Sequence, residues 1–354
     1  MKILLFCENK YAIDILNPIQ EYVTDNHLPH EVLWYIHEKK IDAFAYADKV
    51  RWTKSIQEAY DFSPEAIFVP GNIVPYYLPG VKIQVFHGYA AEKKDHWIIR
   101  RYFDTYFTQG PYFTSHFKAL AQKYGDFEVV ETGWPKQDWI KKNLHRYDDE
   151  KQALLKKSGK QTIILYAPTF SPKLTSLPLP DMKEQLERLA HERNALILMK
   201  FHPLTRQEWA DEYKAWAENH DDIIYIDKGE NVTKYQLMSD VLISDTSSTI
   251  YEFLLLSRPV ITIGTLSKEI YWEDIDTPET LLRAYDHALT DPEAIARRQW
   301  IVDNYDPYLD GHVCERMLNA AADYIRRHGV PAKRHLNLWR KYTSIKTFGK
   351  VRKR

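Results

Sequence analysis

The sequence is short of cysteine: Cys7 and Cys314 are the only two in 354 residues. Two cannot build a disulfide scaffold or a thiolate zinc cluster, and they suit a reducing compartment. Long apolar runs are also missing. No stretch approaches the roughly 18 apolar residues that a membrane-spanning helix needs. The opening run ILLFC, closed by Glu8, is too short for the core of a signal peptide. The expectation is a cytoplasmic chain, soluble or peripheral to a membrane. Net charge is nearly absent from the total, with 48 Lys and Arg against 49 Asp and Glu, while 44% of residues are hydrophobic. Such a chain buries enough surface to offset its ordering entropy, which excludes a mostly disordered protein. Its length suits about two domains.

Several chemical signatures are lacking as well. There is no glycine-rich phosphate loop followed by Lys and Ser or Thr, which argues against a nucleoside triphosphatase. Neither a G-x-S-x-G elbow nor an H-E-x-x-H metal motif occurs, and the glycine fingerprint of nicotinamide binding is absent. Asp274 and Asp276 form a D-x-D, but no buried strand is expected to feed them, so a metal site is not expected there.

What is present is unevenly distributed. Residues 333–354 contain nine basic side chains, from Lys333 and Arg334 to Lys353 and Arg354, and no acidic one. The remaining 332 residues therefore carry a net charge of about minus ten, and an acidic body of that kind repels polyanions, so no nucleic acid partner is expected.

Short apolar runs alternate with helical text through both halves, the pattern of parallel sheets covered by helices. Strands are expected at 3–7, 32–36, 66–69, 83–86, 105–108 and 129–132, and again at 162–166, 195–201, 223–226, 241–244 and 260–263. Helices are expected between them, for example at 182–193 and 249–256. The text turns strongly charged between 130 and 162. The domains are accordingly expected at 1–150 and 151–330, both Rossmann-like, followed by 331–354, a basic amphipathic tail. Two doubly wound domains of this type face a cleft, with ligands outside the carboxyl ends of the strands. The proline-rich stretch 167–180 reads as a lip over that cleft or as a plain surface connection.

The stretch 241–264 runs VLISDTSSTIYEFLLLSRPVITIG. A strand ends at Asp245, a polar turn carries Thr246, Ser247 and Ser248, and a helix begins at Thr249. Hydroxyls there can cap the helix, and the start of a helix also attracts anions. Glu252, one turn in, reads either as an acceptor of hydrogen bonds from a ribose or as a surface Glu on an ordinary capped helix. Two histidines share a context: His87 with Gly88 follows the strand 83–86, and His202 with Pro203 follows 195–201. Lys200 lies two residues before His202, on the same side of the strand, where both can present donors to a phosphate. Lys136 and Asp138 follow a further strand end in ETGWPKQDW, a cleft loop or a plain turn.

The blocks FHG, TGWPKQD, LYAPTF, KFHP and ISDTSSTIYEFLLLSRPVI, in this order over residues 80–265, resemble the CDP-glycerol glycerophosphotransferase family of teichoic acid primases and polymerases. The resemblance implies α/β architecture of the GT-B class and transfer of a polyol phosphate from a CDP-activated donor to a hydroxyl, with release of CMP. It places the catalytic base on His87 and associates His202, also catalytic, with the donor phosphates. Gly88, Lys136, Asp138, Pro168, Thr169, Lys200, Asp245, Thr246, Ser247, Ser248, Thr249 and Glu252 are the implied substrate-binding residues. His202 is expected as imidazolium, holding the departing phosphate with Lys200. No resident metal or cofactor is implied, although a loosely held magnesium is compatible. The chain departs from the family in HGYAAEKK and in Thr246, where Tyr is usual. The first departure bears on the acceptor side and is compatible with a branch acting on a capsule or lipopolysaccharide.

The alternatives are a GT-B glycosyltransferase or UDP-sugar 2-epimerase, and a non-catalytic nucleotide-binding protein. In the tail, Leu338, Tyr342, Ile345 and Phe348 recur at helical spacing among basic residues, beside Trp339. Such a segment suits an anionic membrane surface or a helix packed on the body.

Overall fold

The apolar runs become parallel strands covered on both faces, as their lack of alternation requires. The computed structural model describes residues 1–37, 41, 44–89, 91, 94–170, 181–331 and 336–352. Most of the proline-rich stretch, 171–180, and the basic residues Lys333, Arg334, Lys353 and Arg354 lie outside the described residues. The chain forms two compact units, one of Met1–Lys142 with Tyr305–Arg354 and one of Asn143–Asn304.

The first unit contains β1 (Lys2–Cys7), β2 (Glu31–Ile36), β3 (Trp52–Thr53), β4 (Ala66–Val69), β5 (Val81–Gln84), β6 (Thr105–Thr108) and β7 (Glu128–Glu131). They lie in the order β3-β2-β1-β4-β5-β6-β7, all parallel. Leu4 sits in register with Leu33 of β2 and Ile67 of β4, which joins the two halves of the sheet through a fully buried side chain. Strand order reverses between β1 and β4, where doubly wound sheets open a crevice at their carboxyl edge.

The second unit repeats the scheme with β8 (Thr162–Tyr166), β9 (Ala195–Lys200), β10 (Ile223–Ile226), β11 (Val241–Ser244), β12 (Val260–Ile263) and β13 (Glu273–Ile275). Their order is β10-β9-β8-β11-β12-β13, again parallel. The switch here falls between β8 and β11.

Four observations correct the sequence expectations. The strand expected at 83–86 ends at Gln84, because Phe86 takes a left-handed backbone at φ 59°, which no ladder accommodates. A strand does precede Asp276: β13 pairs with β12, and Asp274 accepts from the Thr262 hydroxyl at 2.6 Å and the Thr265 amide at 3.1 Å. The segment from Tyr305 onward, placed by sequence partly in the second domain, belongs to the first unit. There the helix Val313–His328 buries Val313, Cys314, Met317, Leu318 and Ala321.

The tail is the fourth. Its helix Leu338–Phe348 starts at Asn337, whose side chain accepts from the Arg340 amide, and it packs into the first unit. Phe348 meets Phe6 edge-on at 5.2 Å, His37 at 5.1 Å and Tyr35 at 6.5 Å. Ser344 is fully buried and its hydroxyl accepts from the Tyr76 amide at 3.2 Å. The opposite side leaves Leu338, Trp339 and Tyr342 exposed, by 83%, 73% and 56%, so Phe348 does not share a free face with them. Among the described residues no helix is long and apolar enough to cross a membrane.

Candidate functional site

In the first unit, β5 runs out two residues before a strained turn. Phe86 holds φ 59° and Gly88 φ 150°, and only the second conformation comes readily, because glycine lacks Cβ. A bulky residue with positive φ costs on the order of 1–3 kcal/mol and persists only where its surroundings impose it. They do so here at each step. The Trp134 indole N–H donates to the Phe86 carbonyl at 3.3 Å, and the Gln109 amide donates to the Gly88 carbonyl at 2.9 Å. The Tyr89 hydroxyl donates to Asp306 Oδ2 at 2.7 Å. This turn exposes His87 to solvent.

His87 Nδ1 lies 3.3 Å from the Pro70 carbonyl oxygen. A carbonyl only accepts, so this contact puts a proton on Nδ1; in the neutral ring it is then Nε2 that keeps the lone pair, the tautomer of a general base. The Tyr11 ring stands 5.5 Å from the imidazole. Behind the turn, His96 stacks on Phe86 at 5.1 Å. Burial and the neighbouring His87 push its pKa down to about 3, so it is neutral and cannot relay a charge.

In the second unit the ends of β8 and β11 are tied at the switch point. Asp245 is buried, and both its oxygens accept from the Thr169 amide at 3.0 Å, while Oδ1 also accepts from Thr246 at 2.6 Å. Burial raises its pKa to about 6 against the pull of these amides. Thr246 accepts from the Leu266 amide at 2.9 Å, fastening the next loop. Ser247 Oγ accepts from the Thr249 amide at 3.3 Å. Ser248 is exposed at the N-cap position, just before the helix Thr249–Leu254, and its side chain makes no capping hydrogen bond. Glu252 is half-buried in that first turn. A cavity of about 570 Å³, open mouth included, is lined by Pro168, Thr169, Thr205, the rings of Tyr166, Phe201, Trp209 and Tyr213, and the carboxylates of Asp181 and Glu212.

His202 is exposed, stacks on Phe170 at 4.5 Å, and accepts the Leu204 amide on Nδ1 at 3.1 Å. Its Nε2 therefore carries the proton and can act as a donor. Desolvation of the ring and the nearby Lys200 charge lower its pKa. The imidazolium expected from sequence is thus corrected to a neutral donor near pH 7.

Two further expectations change. Lys200 is buried, and its ammonium donates to the carbonyls of Phe201 at 3.1 Å and Lys228 at 2.9 Å. It binds backbone, not an open phosphate site. Asp138 accepts from the amides of Val313 at 3.0 Å and Cys314 at 2.7 Å, and so caps a helix. Lys136 lies over the Trp134 ring at 5.8 Å. Among the described residues no group of three His, Cys, Asp or Glu could hold a metal ion.

A family model described as CDP-Glycerol:Poly(glycerophosphate) glycerophosphotransferase matches residues 74–322. The chain belongs to that family. Among curated members, the teichoic acid ribitol-phosphate primase of Bacillus spizizenii is 26% identical over 221 residues, covering 54% of each chain. The chain spans about half or less of the length of the first curated relatives it matches. The solved wall teichoic acid polymerase TagF superposes with a TM-score of 0.64 at 16% identity, covering 92% of this chain and 89% of the other. The S. aureus MnaA-UDP co-structure superposes with a TM-score of 0.68 at 15% identity, covering 92% and 97%. Such likenesses establish the fold, the two Rossmann-like units of the GT-B class; the family match sets the chain apart from other owners of that fold.

Around the turn that bears His87 stand residues with no place in the sequence expectations: Tyr11, whose hydroxyl donates to Glu8 at 3.4 Å and whose ring faces the imidazole, and the pair Tyr89 and Asp306. Glu8 had a visible signal, since a carboxylate directly following a buried apolar strand also occurs at Asp245. Asp306 had none, because its partner Tyr89 is 217 residues away.

Proposed function

We propose that the chain transfers a polyol phosphate, glycerol phosphate or its ribitol counterpart, from a CDP-activated donor to a hydroxyl of a glycan or lipid-linked acceptor. The observation that carries this within the family is the pair of tautomers. In their neutral forms His87 carries its proton on Nδ1 and His202 on Nε2, so that one is suited to take a proton at Nε2 and the other to steady a phosphate oxygen. The acceptor oxygen gives its proton to His87 and attacks the phosphorus bearing the polyol. The bond from that phosphorus to the bridging oxygen breaks, CMP leaves, and a phosphodiester forms. His202 and the exposed Ser248 are the groups assigned to the donor phosphates, Glu252 to its ribose, and the ring-lined cavity to its base. No resident metal enters this scheme; magnesium, where it takes part, arrives with the diphosphate.

The place of action assigned to the chain is the cytoplasmic face of a membrane. Leu338, Trp339 and Tyr342 are exposed on one side of the tail helix, which carries Arg340, Lys341 and Lys346. Aromatic and basic residues in this combination suit an anionic interface, each cation contributing about 1 kcal/mol near such a surface.

The deciding experiment incubates the full chain with CDP-glycerol, CDP-ribitol and UDP-sugars alongside hydroxyl acceptors. CMP release that requires an acceptor and disappears in His87→Gln is expected. UDP release or a sugar epimer, with no CMP, would overturn the assignment.

A further inference from the structure

Three strands of the second unit, β9, β8 and β11, run side by side to the carboxyl edge with β8 in the middle. The segment after β8 is stitched to β11. The Ala167 amide donates to the Ile243 carbonyl at 2.9 Å and the Ser244 hydroxyl to the Ala167 carbonyl at 2.8 Å. The Thr169 amide then donates to both oxygens of Asp245 at 3.0 Å. Asp245 is 3% exposed; with its pKa at about 6 it is ionised at neutral pH, where both oxygens accept. Phe170 is the next residue along, and its ring stacks at 4.5 Å and 29° on His202, two residues beyond β9. His202 Nδ1 accepts the Leu204 amide, so the imidazole is held at one edge by backbone and on one face by Phe170. Asp245 also accepts from the Thr246 amide, which opens the turn to Ser248. One buried carboxylate thus holds the two segments that lead to His202 and to Ser248.

We infer that Asp245 is a positioning residue, which acts through Thr169 and Phe170 to fix the His202 ring for the donor phosphates. This rests on the transfer reading above, in which His202 Nε2 donates to a phosphate oxygen. Such a bond to an ionised acceptor is of the stronger kind, but it weakens steeply as its angle falls. The last torsion of a histidine side chain is broad, and the Leu204 amide holds only one atom of the ring. A flat contact with Phe170 fixes the plane as well. Phe170 is placed in turn by the Thr169 amide, and an amide bonded to both oxygens of a buried carboxylate is a stiff anchor, because leaving either group unpaired in the interior is costly. Asp245 is buried, so its effect on the donor passes through the residues that it holds.

The test uses the full chain as wild type, Asp245→Asn, Phe170→Leu and the double variant, with circular dichroism to check folding. Calorimetry gives the affinity for CDP-glycerol. NMR of the His202 ring protons reports the stacking, because the ring current of Phe170 displaces them from their positions in a free histidine. Asp245→Asn should move these signals toward the free positions although Phe170 is still present. Each single variant should weaken CDP-glycerol binding about tenfold, the scale of one hydrogen bond to a charged group. Residues acting in series do not add, so the double variant should bind no worse than the weaker single, whereas independent losses would multiply to about a hundredfold. Unmoved His202 signals in folded Asp245→Asn, unchanged affinity in Phe170→Leu, or losses that multiply would each overturn the inference. Should Asp245→Asn not fold, Asp245→Glu, which keeps the charge and displaces the oxygens, takes its place with the same outcomes. If the wild type does not bind CDP-glycerol, the transfer reading fails by itself, and the His202 signals still decide whether Asp245 sets the ring.

Discussion

Tyr89 and Asp306, 217 residues apart, share a 2.7 Å hydrogen bond in the interior of the first unit. The same carboxylate oxygen accepts from the Trp134 amide at 3.0 Å, and Gln137 donates to the Tyr89 hydroxyl at 2.9 Å. Trp134 in turn holds the Phe86 carbonyl. The chain thus returns from the second unit carrying the acceptor that locks the turn bearing His87.

Removing that acceptor should be costly. Asp306→Ala leaves the Tyr89 hydroxyl and the Trp134 amide buried without it, a loss on the order of 3 kcal/mol. Asp306→Asn keeps an oxygen and should cost less. Burial raises the Asp306 pKa to about 8, above its unfolded value, so the folded state holds the extra proton between about pH 4 and 8. The stability from this group is present below pH 4 and lost as pH rises to 8. Urea midpoints at pH 5 and 8 should show a smaller fall for Asp306→Asn than for the wild type.

His96 has the opposite sign. Its folded pKa, about 3, lies below the ordinary 6.5, so the unfolded chain binds the extra proton between those values and stability falls as the pH drops through that window. The slope is about 1.4 kcal/mol per pH unit for one proton. Its Nε2 is buried with no hydrogen-bond partner, packed among Phe86, Trp97, Phe113 and Phe117. His96→Phe should therefore match or exceed wild-type stability at pH 5 and lose one proton's worth of acid sensitivity in denaturation curves between pH 4 and 6.

Lys200→Met distinguishes a structural lysine from a phosphate ligand. Its ammonium satisfies the carbonyls of Phe201 and Lys228, so its removal should cost about 1–3 kcal/mol. It should also raise the His202 pKa, because a positive neighbour that disfavours imidazolium is gone. NMR titration of His202 reads the second effect, and a lowered or unmoved value would contradict the assignment.

Strand positions are legible in the sequence wherever a strand is buried on both faces, because only a continuous apolar run suits that place. Thus β4, β6, β8, β11 and β12 fall at their expected residues, and the half-buried edge strand β10 does so through its apolar run IIYI. The two overlooked strands lack that signal: β3 has two residues, and β13 is the polar edge EDI. The histidines were visible as strand-end residues. Their tautomers were not, since these depend on Pro70 and Leu204. Lys200 and Asp138 carry the right chemistry for a ligand, yet a carbonyl from another loop and a helix start from the chain's far end reach them first.

The tail separates packing from surface in one helix. Phe348 is buried in the aromatic cluster with Phe6, Tyr35 and His37, and Phe348→Ala should cost about 3–5 kcal/mol. Deleting residues 333–354 would remove that side chain and the acceptor of the Tyr76 amide, the Ser344 hydroxyl, so a truncated chain reports on folding as much as on lipid. The exposed pair Leu338 and Trp339 touches membrane in the proposed function and little else. Leu338→Ser with Trp339→Ser should leave the melting temperature within about 2 °C, since exposed substitutions usually change stability by no more than about 0.5 kcal/mol. Cosedimentation with vesicles containing anionic lipid should fall severalfold in this variant, and binding by the wild type should weaken with salt. Equal cosedimentation of the two proteins would show that the exposed aromatic side of the tail is not the membrane contact.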